Sequence, residues 1–102
     1  MQRIARHARL KKSCIEKYKK IHKEMWPEII NLIKKAGIKN YSIYISGHDL
    51  FSYLEVDDWN RALKIIMKDS IGEKFQKYLA PLMDAHDPVS PWVQIEEVFH
   101  LD

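Results

Sequence analysis

Tyr18, His22 and Met25 follow one another at intervals of four and three residues, the spacing that stacks side chains on one face of a helix. Taking His22 as the origin and about 100° per residue, Ile15, Tyr18, Met25, Trp26, Ile29, Ile33 and Ala36 fall within about 60° of it. Glu16, Lys17, Lys20, Glu24, Lys34 and Lys35 project to the opposite side. An imidazole therefore sits at the centre of an apolar stripe. Such a histidine either bonds to a backbone carbonyl or a tyrosine hydroxyl as part of the core, or it works as an acid/base in a half-buried pocket. The second role suits the residue type, because an unperturbed pKa of about 6.5 lets imidazole both give and take a proton near neutrality. Tyr18, one turn earlier, is either a packed ring or a second hydroxyl for the same pocket.

The remaining reactive side chains narrow the chemistry. Tyr41 and Tyr44 have opposite parity in an extended segment, so at most one of them faces the helix carrying His22. His7, His48, His86 and His100 show no HxH, HExxH or Cys/His spacing, so no metal site is expected. No Gly-rich phosphate loop, Walker motif or GxSxG elbow is present. Cys14 is the single cysteine; it reads as a small core residue, and the fold must rest on packing without an internal disulfide.

The elements that position these groups follow from pattern and punctuation. Imperfect alternation over Arg3 to Leu10, with Ile4, Ala8 and Leu10 against Arg3, His7 and Arg9, suggests a strand. Ser13 with Glu16 three residues on resembles a capping box. A helix is expected from Cys14 to Ala36, ending at Gly37. Pro27 within it should kink or restart the helix and open space near His22. Tyr41–Ile45 and Leu50–Val56, separated by Ser46-Gly47-His48-Asp49, read as a β-hairpin. Asp57 or Asp58 is expected to cap a helix through Trp59, Ala62, Leu63, Ile66 and Met67, followed by a helical piece near Ile71–Met83 and a last strand over Val93–Leu101. The order β-α-β-β-α-β is that of the ferredoxin-like α+β fold, an antiparallel sheet with its helices on one face. The other face must meet water or a second copy, and the aromatic residues of the strands favour a homodimer.

A chain of 102 residues with 46% hydrophobic positions suits one domain, 1–102. Residues 1–39 carry 12 Lys/Arg against 3 Asp/Glu, and residues 40–102 carry 5 against 11. Most of the lysines lie on the polar side of one helix, so a solvated face is expected rather than a nucleic-acid surface. No apolar run spans a bilayer and Met1–Lys12 does not read as a signal peptide, so a soluble cytoplasmic protein without membrane partners is expected.

Tyr18, His22, Trp26-Pro27-Glu28, Asn40-Tyr41-Ser42-Ile43-Tyr44 and the ending Glu97-Val98-Phe99-His100-Leu101-Asp102 resemble the L-rhamnose mutarotase family over essentially the whole chain. The resemblance implies a ferredoxin-like homodimer of the dimeric α/β barrel type, no metal, and a sugar pocket between helix and sheet. It implies His22 as proton donor, and Tyr18 and Tyr41 as sugar contacts. Where better-known members carry a Trp-Trp pair followed by Lys-Tyr, this chain has Phe75-Gln76 followed by Lys77-Tyr78. Phe75 and Gln76 are thus the substrate-binding residues expected to shift which hydroxyl configuration is preferred. The reaction implied is cofactor-independent interconversion of the α and β anomers of a 6-deoxyhexose. L-Fucose mutarotases are similar in fold and size and give the neighbouring reading. Three further readings compete: a dimeric-barrel oxygenase using a histidine beside an oxidisable aromatic substrate or haem, a nucleic-acid module on the basic helix, and a non-catalytic small-ligand-binding module.

Overall fold

The computed structural model describes residues 1–102. Four strands, β1 (Gln2–Arg9), β2 (Lys39–Ser46), β3 (Asp49–Val56) and β4 (Val93–Ile95), form one antiparallel sheet in the order β2-β3-β1-β4. Four helices, α1 (Ile15–Lys23), α2 (Pro27–Lys35), α3 (Trp59–Lys68) and α4 (Ser70–Leu79), supply the two crossover segments as pairs. Ile4 and Ala8 of β1 and Leu50, Leu54 and Val56 of β3 are buried. Their parity marks the face toward the helices.

The expected helix over Cys14–Ala36 is in fact two. Proline has no N–H to give to the carbonyl one turn back, and its ring pushes the preceding residue out of the helical region. Trp26 accordingly lies at φ −59°, ψ 128°, and Pro27 opens α2 as its first residue. The break consumes only Glu24–Trp26, so Ile29 and Ile33 still pack in the core reached by Tyr18. The capping box is not formed. A 3-10 turn over Lys12–Cys14 shifts the start of α1 to Ile15 and makes Cys14 the cap. Ser13 Oγ then lies 3.8 Å from Cys14 Sγ, and Glu16 pairs with Lys19 at 3.7 Å. Gly37 ends α2 at φ 82° as expected.

Asp58 caps α3, its carboxylate accepting from the Arg61 N–H at 3.1 Å. Asp69 caps α4 in the same manner through the Ile71 N–H at 2.9 Å. A short 3-10 turn, Ala80–Leu82, follows α4. The closing strand is much shorter than Val93–Leu101: β4 pairs with β1 only from Ala5 to His7. Beyond Ile95 the chain is tied back by a bidentate bond, Arg3 Nε–H and Nη2–H donating to Glu97 at 2.8 and 2.9 Å, after which Val98, Phe99 and Leu101 are exposed.

Two buried clusters build the core. One gathers Ala8, Leu10, Tyr18, Ile29, Leu50, Phe75 and Met83 beneath α1 and α4. The other gathers Ile4, Ile38, Leu54, Val56, Trp59 and Ala62 beneath α3. A cavity of about 350 Å³ lies between them, lined by members of both.

Candidate active site

α1 presents Tyr18, His22 and Met25 to this cavity. The His22 ring stacks on Tyr18 with centroids 4.1 Å apart and planes 29° from parallel. Phe75, from α4, meets His22 edge-on with ring centroids 6.3 Å apart. Nδ1–H of His22 donates to the Tyr18 carbonyl at 3.0 Å. A carbonyl can only accept, so this bond assigns the ring proton to Nδ1 and leaves Nε2 with its lone pair. Burial pushes the His22 pKa below the ordinary 6.5, opposed by the bond to Tyr18. The imidazole is thus held neutral, oriented, and ready to take a proton at Nε2. Nδ1 thus makes a core-type bond, while Nε2 is left without a partner beside a cavity.

Burial also raises the Tyr18 hydroxyl well above its usual range, with Tyr41 adding to the effect and the positive Arg6 opposing it. Tyr18 therefore stays a neutral hydroxyl at any working pH.

Tyr41 reaches the same cavity from β2 because it shares the parity of Ile43 and Ile45, which pair with the buried Ser52 and Leu50; the strand becomes irregular just before it. Lys39 pairs with Glu55 and Ser42 with Tyr53, so Asn40 and Tyr41 together stand opposite Leu54. This is a β-bulge, and Asn40 takes the left-handed conformation at φ 50°. Its amide donates to Glu55 Oε1 at 2.6 Å, and the Tyr53 hydroxyl donates to Oε2 at 2.7 Å. Tyr41 is turned to the helix side while Tyr44 is 63% exposed on the opposite face, in line with their parity.

Gln76 lines the cavity beside Phe75 on α4. Phe75 is buried and also meets Trp26 edge-on at 5.0 Å. Trp26 lies outside the cavity lining; it braces the α1–α2 break against α4, with Tyr78 at 5.1 Å. All five residues expected at the site, Tyr18, His22, Tyr41, Phe75 and Gln76, are brought to one cavity. No group of three or more His, Cys, Asp or Glu side chains is arranged to hold a metal.

Arg6 is the lining residue that sequence reading passed over, together with Trp59 and Trp92. Its parity in β1 is that of Ile4, Ala8 and Leu10, and an arginine in a core-facing register was the available signal. Nη2–H donates to the Tyr41 hydroxyl at 2.9 Å and Nε–H to Ser52 Oγ at 3.2 Å. Trp92 comes from the segment before β4, where the Asp87 carboxylate accepts from the Val89 N–H at 3.3 Å and Pro88–Trp92 border the cavity.

At about 350 Å³ the space sits at the small end of the range of about 300–1,000 Å³ for small-molecule sites. It joins apolar walls to a neutral imidazole and two phenols. That arrangement can bind a small polyol and move one proton between its oxygens.

Comparison with known proteins agrees. A family model described as L-rhamnose mutarotase matches residues 3–101. An L-rhamnose mutarotase of Lactiplantibacillus plantarum is 40% identical, with all of both chains aligned. One from Listeria monocytogenes is 38% identical over 99% of both. The crystal structure of an L-rhamnose mutarotase from Formosa agariphila superposes with a TM-score of 0.85 at 28% identity, covering both chains completely. With the fold, the cavity and the whole-length match in agreement, the chain belongs to the L-rhamnose mutarotase family of isomerase-type enzymes.

Proposed function

We propose that residues 1–102 act as a single mutarotase domain that interconverts the α and β anomers of L-rhamnose, with His22 as the acid/base. The observation that carries this reading is the His22 ring, pinned at Nδ1 by the Tyr18 carbonyl at 3.0 Å with Nε2 free beside the cavity. Ring opening of a pyranose requires the anomeric hydroxyl to lose a proton and the ring oxygen to gain one. Both oxygens are bonded to the anomeric carbon, so one imidazole nitrogen can serve both in turn. Neutral Nε2 takes the proton from the anomeric hydroxyl and then gives it to the ring oxygen as the C–O bond breaks, leaving the open-chain aldehyde. Because burial lowers the His22 pKa, the imidazolium formed midway is a stronger proton donor than free histidine. Rotation about the C1–C2 bond and reclosure on the other carbonyl face, with the proton moves reversed, gives the second anomer. Atoms and protons balance without a redox partner.

Tyr18 and Tyr41 would orient the sugar through their hydroxyls, and Gln76 would select among hydroxyl configurations with Phe75 behind it. L-Fucose is the competing substrate. It shares the 6-methyl group, and an amide at Gln76 in place of an indole changes a stacking wall into a hydrogen-bonding one. The working form we propose is a homodimer closed across the uncovered sheet face, acting in the cytoplasm on a monosaccharide. No helix is long and apolar enough to cross a membrane.

The test is saturation-transfer NMR between the anomeric protons of L-rhamnose and of L-fucose. The enzyme should transfer saturation on L-rhamnose faster than buffer does. Absence of any acceleration on either sugar by folded protein overturns the reading and leaves a non-catalytic binding module.

A further inference from the structure

Arg6 is the one lining residue of the cavity that carries a fixed charge, and no Asp or Glu lines the cavity with it. His22, the other titratable base there, is driven toward its neutral form by burial. Two arginines on the same strand make an instructive contrast. Arg3 pairs with Glu97 at 2.8 Å and Arg9 with Asp49 at 3.2 Å, whereas both hydrogen bonds of Arg6 go to neutral hydroxyls, those of Tyr41 and Ser52. A half-buried guanidinium without a counter-charge is uncommon, since desolvated charges are normally paired.

Three aromatic rings hold the Arg6 head in place: its central carbon lies 4.7 Å from the centroid of Trp92, 5.2 Å from Trp59 and 5.9 Å from Tyr41. Ring faces attract the cation but do not neutralise it. The bonds to Tyr41 and Ser52 use Nη2 and Nε, and Nη1 with the second hydrogen of Nη2 forms the end-on fork that takes a carboxylate bidentately.

We infer that Arg6 is an anion anchor that extends the cavity's substrates to hexuronates, sugars with a carboxylate where L-rhamnose and L-fucose carry the 6-methyl. The inference rests on the reading of this cavity as the sugar site. In a pyranose, the carbon bearing that group is attached next to the ring oxygen. A carboxylate held by Arg6, whose guanidinium is bonded to Tyr41, therefore holds the ring oxygen within the cavity that Tyr18 and His22 also line. The carboxylate is a spectator in the reaction: the same proton leaves the anomeric hydroxyl and reaches the ring oxygen.

The experiment measures anomer exchange by saturation-transfer NMR on L-rhamnose, L-fucose, L-mannuronate and L-galacturonate, with wild type, Arg6→Gln and Arg6→Lys. Wild type should accelerate exchange of at least one uronate. Arg6→Gln should lower the uronate-to-rhamnose ratio of kcat/KM by roughly tenfold to a hundredfold, the range for losing hydrogen bonds to a charged group. Arg6→Lys, which keeps the charge without the fork, should recover part of that loss. An enzyme active on L-rhamnose but inert toward both uronates overturns the inference, as does an unchanged ratio in folded Arg6→Gln. Should wild type prove inactive on L-rhamnose as well, titration of tryptophan fluorescence with L-galacturonate decides the anchor separately. Saturable binding weakened in Arg6→Lys supports it, and no binding by wild type overturns it.

Discussion

At the scale of single residues, the proposed role of His22 rests on the different surroundings of its two nitrogens. Nδ1 is committed to a backbone carbonyl of its own helix, so the ring cannot flip without leaving a half-buried N–H unpaired. His22→Ala should lower the rate of anomer exchange by about 10² to 10⁴, the usual contribution of a positioned acid/base, while the melting temperature stays within a few degrees of wild type. Normal exchange in the folded variant would remove His22 from the mechanism. The pH dependence has a definite sign. The His22 pKa is lowered by burial from 6.5, so wild-type kcat/KM should be level above pH 6.5 and fall on an acid limb whose midpoint lies below it. Stability follows the same direction: the folded state favours neutral imidazole, so its contribution is complete above the unfolded value of 6.5 and is lost as pH falls through the folded value. A limb centred above 6.5 would contradict the burial argument. Gln76→Trp, at the same scale, should move the ratio of L-rhamnose to L-fucose activity. An unchanged ratio would show that Gln76 does not touch the sugar.

At the scale of elements, two local irregularities set the site. The first is the bulge at Asn40–Tyr41, which inserts one residue into β2 immediately beside the Tyr41 that faces the helices. Asn tolerates φ 50° where a β-branched residue does not. Asn40→Val should cost about 1–3 kcal/mol of stability and reduce activity by disturbing Tyr41, with Asn40→Gly recovering most of the stability; both are read by thermal melting beside the exchange assay. Equal stability of all three proteins would mean that the bulge survives without the left-handed residue. The second is the contact of α4 with the end of α3. A Cβ built on Gly72 would lie 2.2 Å from the Ile66 carbonyl oxygen and 3.1 Å from Leu32 Cδ2. Gly72→Ala must push α4 away from that carbonyl, and α4 carries Phe75 and Gln76. Destabilisation of about 1–3 kcal/mol is expected, as for other overpacked sites, and a melting curve checks it.

At the scale of the whole molecule, the face of the sheet away from the helices has no cover. It presents Tyr44, Phe51, Val93 and Ile95, and the exposed tail adds Val98, Phe99 and Leu101. Apolar exposure of this extent is a feature of interacting surfaces, and a sheet face closed by a two-fold axis is self-complementary. Sedimentation velocity at micromolar concentration should show a species of twice 12.2 kDa, and Tyr44→Asp combined with Val93→Asp should shift it toward monomer. A single 12.2 kDa species for wild type would overturn the dimer.

The sequence by itself determined what periodicity and stereochemistry control. Parity separated Tyr41 from Tyr44, the helical period put Tyr18 and His22 on one apolar stripe, and Gly37 ended α2. Each follows from a local repeat or from a backbone conformation that few residues adopt, so no distant partner is needed to read it. The break at Pro27 was legible as a kink or restart, whereas the packing of Trp26 on Phe75 and Tyr78 of α4 was not. Only the tertiary structure decided the rest. The failed capping box turned on a 3-10 segment set by the Leu10–Met83 bridge and the Lys11 N–H bond to the Leu82 carbonyl at 2.9 Å. β4 stops at Ile95 although β1 continues to Gln2, and the chain beyond it is held by the Arg3–Glu97 side-chain pair instead of by ladder bonds. Arg6 became part of the site because Tyr41, Trp59 and Trp92, 35 to 86 positions away in the chain, converge on it. Local pattern carries information over a turn or a pleat, whereas a pocket is made by residues that are neighbours only after the chain has folded.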